Sequence, residues 1–219
     1  MEEARELVLP LVVRIERAAP PVRTDALEAA CRAVLFMVTT EVPEWREAVD
    51  AWQGNRIRKV VRRARAAEWR RAEALDGLTV TQRSAEVRVY PPFPLDAWPR
   101  DLARLQVSGT ELEDPTVPPA VAGGVPVVLL SPHVRMSAGK AMAQAGHAAQ
   151  LGLWRLSPAA VAFWRARDFA LAVRTASPAQ WDATLASGAP VVHDAGFTEV
   201  EPDSMTATIQ LNADALTDA

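Results

Sequence analysis

The 219-residue chain holds one cysteine, Cys31, so no internal disulfide can brace it and its stability must come from a packed core. That scarcity fits a reducing compartment. The N-terminus, Met1-Glu2-Glu3, is charged and acidic, and the apolar run Leu7 to Val13 is short and interrupted by Pro10. Neither a signal peptide nor a membrane span is expected there, and the chain reads as cytoplasmic. A dominant charge is missing as well: 24 basic residues against 27 acidic ones leave a net −3. A polycationic surface is thereby excluded, and any nucleic-acid contact must come from a local patch. The three histidines, His133, His147 and His193, follow no recognised ligand spacing, with or without Asp194, so no metal is expected. No Ser-His-Asp arrangement or reactive cysteine is evident, which disfavours a covalent acyl-enzyme, and no cofactor is expected.

What is present is a chain with 49% hydrophobic residues, enough for one large or two small cores. Its most informative stretch runs from Met136 to Gln150. The apolar run Val125 to Leu130 predicts a strand leading into it, and Ser137 can cap the helix that follows. Lys140, Gln144 and His147 fall at i, i+4 and i+7 and share one helix face, with Ala141, Ala145 and Ala148 paving the neighbouring face. A helix N-terminus with open N–H groups and an ammonium would converge on one spot, suited to an anion or a polarised carbonyl.

The words M-S-A-G-K-A-M-A-Q-A-G-H-A-A (136–149) and V-V-H-D-A-G-F-T-E-V-E-P-D-S-M-T-A-T (191–208) resemble the two signature blocks of one family, the second, non-classical type of peptidyl-tRNA hydrolase. In that family the blocks read M-x-x-G-K-x-A-A-Q-x-x-H-A and D-A-G-x-T, the latter followed by P-x-(S/T)-x-T. The likeness covers about Val125 to Leu211. It implies hydrolysis of the ester joining a peptide to the 3′ ribose of tRNA. It further implies a catalytic set of Lys140, Asp194, Thr198 and Thr206, with Gly139, Gln144, His147 and Ser204 binding substrate. There are departures. The family's Arg and Asp after the first strand are replaced by Ser131 and His133, and one basic residue of its G-K-G-K is gone.

The sequence also repeats itself. Val12-Val13 lies 115 residues before Val127-Val128, and the same offset sets Asp25-Ala26 against Lys140-Ala141. Trp52 with Trp164, and Trp69 with Trp181, match at an offset of 112. Two tryptophan pairs at one offset, among only seven tryptophans, argue for tandem duplication. The expected fold is α/β: two tandem small sandwiches, each a mixed four-stranded sheet flanked by helices, packed as a pseudo-dimer. The expected divisions are 1–113 for a degenerate copy, a Pro-rich linker at 114–122, and 123–219 for the catalytic copy. Taken alone, Arg56 to Arg65 looks helical, but its alignment with Phe169 to Ser177 predicts a strand up to Arg62. Leu105-Gln106-Val107 aligns with Ile209-Gln210-Leu211, predicting a closing strand at Arg104 to Val107.

Copy one carries Asp25, Ala29 and Arg32 where copy two has Lys140, Gln144 and His147, and Thr81-Gln82-Arg83-Ser84 near the match to Asp194. Its scaffold persists without its chemistry. From Arg56 to Arg71, eight basic residues face one acid, Glu68, so Arg58, Lys59, Arg62 and Arg63 are candidate contacts to tRNA phosphates. A solvated charged face is an equal alternative. The expected partner is peptidyl-tRNA, with no membrane and no obligate protein partner, the chain being a monomeric pseudo-dimer or a higher homo-oligomer. The competing expectation is a tRNA- or nucleotide-binding protein with little or no turnover.

Overall fold

The structure, a computed structural model, describes residues 5–121, 123–196, 199–212 and 216. The first half runs β1 (Leu7–Arg14), α1 (Arg23–Val38), α2 (Pro43–Gln53), β2 (Lys59–Ala64), α3 (Ala66–Glu73), β3 (Leu78–Gln82), β4 (Ala85–Val89), β5 (Phe93–Pro94) and α4 (Arg100–Ala103). The second runs β6 (Val127–Leu130), α5 (Ala138–Leu153), α6 (Pro158–Arg165), β7 (Ala172–Thr175), α7 (Pro178–Ala186), β8 (Val191–His193) and β9 (Met205–Gln210). The fold is mixed α/β with two mixed sheets. The strand orders are β2-β1-β4-β3 and β7-β6-β9-β8, each with one parallel pair and two antiparallel ones. Helices α1 and α5 begin 115 residues apart and are both 16 residues long.

Local chemistry explains the helix starts. Ser137, Ser157 and Ser177 each accept a hydrogen bond from the backbone N–H three residues on, and Pro158 and Pro178 follow two of these caps. Helix α1 has no such side chain at Val22. Its cap comes from afar: the Asp114 carboxylate accepts from Thr24 N–H at 2.7 Å and from the Thr24 hydroxyl at 2.9 Å.

Strand β2 spans Lys59–Ala64, so the internal repeat reads this basic stretch correctly where its composition alone does not. The expected closing strand at Arg104 to Val107 is not found. The strand that takes this place, on the side of β1 away from β2, is β4, joined to β3 by a tight turn at Arg83-Ser84, with Arg83 in the left-handed region at φ 46°. Gln106 makes only an isolated bridge to Arg63. The first sheet also gains a fifth strand, because β5 pairs with β1.

One apolar cluster includes residues of both halves, with α1 packed along α5. Gly146 allows this approach: a Cβ there would meet Val34 Cγ2 at 2.9 Å. Among the described residues, no helix is long and apolar enough to cross a membrane.

Candidate functional site

Strand β8 ends where Asp194 turns the chain. Asp194 Oδ1 accepts from Gly196 N–H at 2.8 Å, and Gly196 adopts φ 75°, a conformation that glycine supplies without strain. Asp194 N–H donates to Ser204 O at 3.0 Å, and Asp203 N–H donates to Asp194 O at 2.7 Å, locking the turn to the entry of β9. The carboxylate is thereby aimed at α5. Lys140 Nζ and Gln144 Nε2 each donate to Asp194 Oδ2 at 2.5 Å. Behind them the Thr206 hydroxyl donates to Gln144 Oε1 at 2.8 Å.

Four of the expected residues are therefore one connected network, with a defined direction: Thr206 orients Gln144, Gln144 and Lys140 hold Asp194, and Asp194 fixes Lys140. Thr206 is fully buried, so it acts through Gln144 and not on a ligand. Asp194 takes three donors, which hold its carboxylate in one orientation. Lys140 keeps 12% of its side chain exposed and is the member that reaches the solvent side. Ser204, expected to bind substrate, donates its hydroxyl to Glu201 O within the turn. Thr198 lies outside the described residues.

The N-terminus of α5 differs from expectation. Gly139 N–H donates to the Thr110 hydroxyl at 3.0 Å, and Ser137 N–H donates to the Glu199 carboxylate at 2.8 Å. These partners come from the linker side and from the loop after Asp194, so the anticipated cradle of open N–H groups is already filled by the protein. The need for glycine at 139 follows from the same contact, since a Cβ would lie 2.8 Å from Thr110 Oγ1. Gly139→Ala should lower the unfolding midpoint, by about 1–3 kcal/mol of stability, and Thr110→Ala should restore part of that loss. Urea melts of the two single variants and the double variant would measure the coupling. Simple additivity would mean that Thr110 does not dictate the glycine.

Lys140, Gln144 and His147 line a cleft of about 1130 Å³ whose opposite wall belongs to the first half: Ile57, Arg58, Arg62 and Trp98. The four expected phosphate contacts fare differently. Arg62 sits 4.4 Å from the centre of the Trp98 ring and donates to the carbonyls of Ala103 and Leu105. Arg63 donates to Ser108 O and the Gln106 amide oxygen. Arg58 pairs with Glu6 at 3.1 Å. Lys59 is only 7% exposed and is directed into the interface, a correction to its expected place on a phosphate-binding surface. Sequence reasoning missed Trp98, which lies in the Pro-rich stretch after Tyr90, while Arg56, the first residue of the basic run, is exposed on the cleft rim. The stretch after Tyr90 is visible in the sequence only as extra length in copy one.

The corresponding place in the first half is filled. Asp25 of α1, at the position of Lys140, accepts from the Ser84 hydroxyl at 2.7 Å and from Arg83 at 3.1 Å. Here too an ion pair joins the helix to the hairpin, with the carboxylate on the helix and the cation on the turn. Beside it, Glu28 is 2% exposed and accepts from Arg83, Gln82, Arg174 and the N–H of Val173. Arg32, in the position of His147, donates to Gln82 Oε1 and Asp168 O. Among the described residues no group of three or more His, Cys, Asp or Glu side chains is placed to hold a metal ion. Set against known protein families, curated proteins and solved structures, the chain matches none.

Proposed function

We propose that the chain is a peptidyl-tRNA hydrolase of the second, non-classical type, built as a covalent pseudo-dimer with its chemistry in the second half. The observation that carries this reading is the Lys140–Asp194 pair, held by Gln144 and Thr206 at the wall of an inter-half cleft. An ammonium fixed by a carboxylate in a partly dry site is suited to stabilise the oxyanion that forms when water attacks an ester carbonyl. The equal strand orders and the matched 16-residue helices support duplication. The ion network around Glu28, where the first half would have its own cleft, supports one active site per chain. A cytoplasmic setting belongs to the same proposal.

The test is release of peptide from N-blocked aminoacyl-tRNA. Wild type should turn over, and Lys140→Ala, with an unchanged circular dichroism spectrum, should not. A second reading, a tRNA-binding protein without useful turnover, is favoured by the closed α5 N-terminus, which offers no open cradle for an anion at Ser137 and Gly139. Salt-sensitive tRNA binding without peptide release by wild type would select it.

A further inference from the structure

Beneath the cleft, one amine has no part in the network above. Lys59 reaches from β2 of the first half into the second half, with its Nζ 4.7 Å from the centre of the Trp52 ring. It donates to Gln150 Oε1 at 2.6 Å, and Ile57 O lies at 3.4 Å and His147 Nδ1 at 3.2 Å. Three acceptors and an aromatic face around one nitrogen match the needs of an ammonium.

Burial pushes Lys59 well below its ordinary 10.5, and it pushes His147 well below its ordinary 6.5, with Lys59 and Lys140 adding to the shift at His147. Gln150 Oε1 and Ile57 O can only accept, so Lys59 Nζ is the donor of this cluster. The ring of His147 is then neutral, its Nδ1 accepts from Lys59, and its hydrogen sits on Nε2, at the edge of the ring away from Lys59. The charged groups around the ring are Lys59 from β2 and Lys140 from α5, the latter paired with Asp194. On the α1 side the neighbour is Cys31, whose thiol is pushed up by burial.

We propose that Lys59 is a positioning residue that fixes His147 as a hydrogen-bond donor toward the cleft, so that the site takes an acceptor-rich group such as an ester or phosphate and is complete only with both halves. This rests on the hydrolase reading for the identity of the ligand alone.

Histidine-selective ¹⁵N NMR tests it without substrate. The resonance lost in His147→Gln should show a protonated Nε2 and a bare Nδ1 at neutral pH, and should keep that form below 6.5, the ordinary histidine midpoint. In Lys59→Met a positive neighbour is gone, so the tautomers should mix and the titration midpoint should rise. Lys59→Gln, which keeps a donor, should preserve the Nε2–H form and also serves if Lys59→Met does not fold. With N-blocked aminoacyl-tRNA, Lys59→Met should raise KM about tenfold with His147 present, one missing hydrogen bond's worth, and leave KM unchanged in the His147→Gln background. An Nδ1–H tautomer in wild type, or equal KM effects in both backgrounds, would overturn the proposal. Absence of turnover in wild type would count against the hydrolase reading, leaving the NMR result to decide the role of Lys59.

Discussion

Asp194→Ala should abolish peptide release and also weaken the fold, and the two effects should be separable. Removing the carboxylate takes its ion-pair partner from the Lys140 ammonium, whose side chain is 12% exposed, and leaves the Gln144 amide and Gly196 N–H without this acceptor. Breaking a buried ion pair from one side costs about 3–5 kcal/mol. The near-isosteric Asp194→Asn keeps the volume and part of the hydrogen bonding, so its loss should fall on kcat, by roughly 10²–10³-fold, as expected for a misplaced oxyanion stabiliser. Replacing both partners, Lys140→Met with Asp194→Leu, removes the ammonium together with the carboxylate. Much of the stability should return while turnover stays absent. Urea midpoints alongside single-turnover peptide release would check this. If Asp194→Asn kept wild-type kcat, the ion pair would be a structural strut and the oxyanion stabiliser would have to be sought elsewhere.

A comparable loss of stability, without direct effect on the site, is expected from Glu28→Ala. Glu28 is 2% exposed and joins the halves: one oxygen accepts from Val173 N–H at 3.3 Å and Arg174 at 3.1 Å, the other from Gln82 at 3.0 Å and Arg83 at 3.3 Å. The substitution leaves a backbone N–H and two guanidinium groups short of an acceptor in the interface between α1 and β7. A cost of about 3–5 kcal/mol follows, lowering Tm by on the order of 10 °C for a chain of this length. Glu28→Gln, which keeps one acceptor oxygen but no charge, should fall between wild type and Glu28→Ala in calorimetry. A Glu28→Ala melt within about 2 °C of wild type would mean that apolar packing of α1 on α5 alone holds the halves together.

What the sequence made legible was local or periodic. The helix of the 136–150 stretch announces itself through Ser137 and the spacing of Lys140, Gln144 and His147, and the structure keeps all three on the cleft side. Strand β2 is legible only by comparison with the second half, because arginines crowd both of its faces. The 79–90 stretch reads as strand and turn and is so in the structure, but the closing strand was misplaced because Leu105-Gln106-Val107 imitates β9. The state of the α5 N-terminus was not legible at all. Its partners, Thr110 and Glu199, stand 29 and 62 residues from the groups they satisfy, and no local pattern reports such pairings. For the same reason Lys59 read as one more surface cation.

The segment from Thr110 to Asp114 engages the starts of both long helices, Thr110 at Gly139 and Asp114 at Thr24, with Leu112 buried between them. The two halves are therefore not interchangeable beads on a string. A chain divided after Pro119 would give a first fragment already carrying the latch for both helices, and a second fragment that depends on it. Fragment exchange could rebuild the native pair from one piece of each kind. Two copies of the second piece would lack the latch altogether, so the start of α5 in each would have lost its Thr110 acceptor.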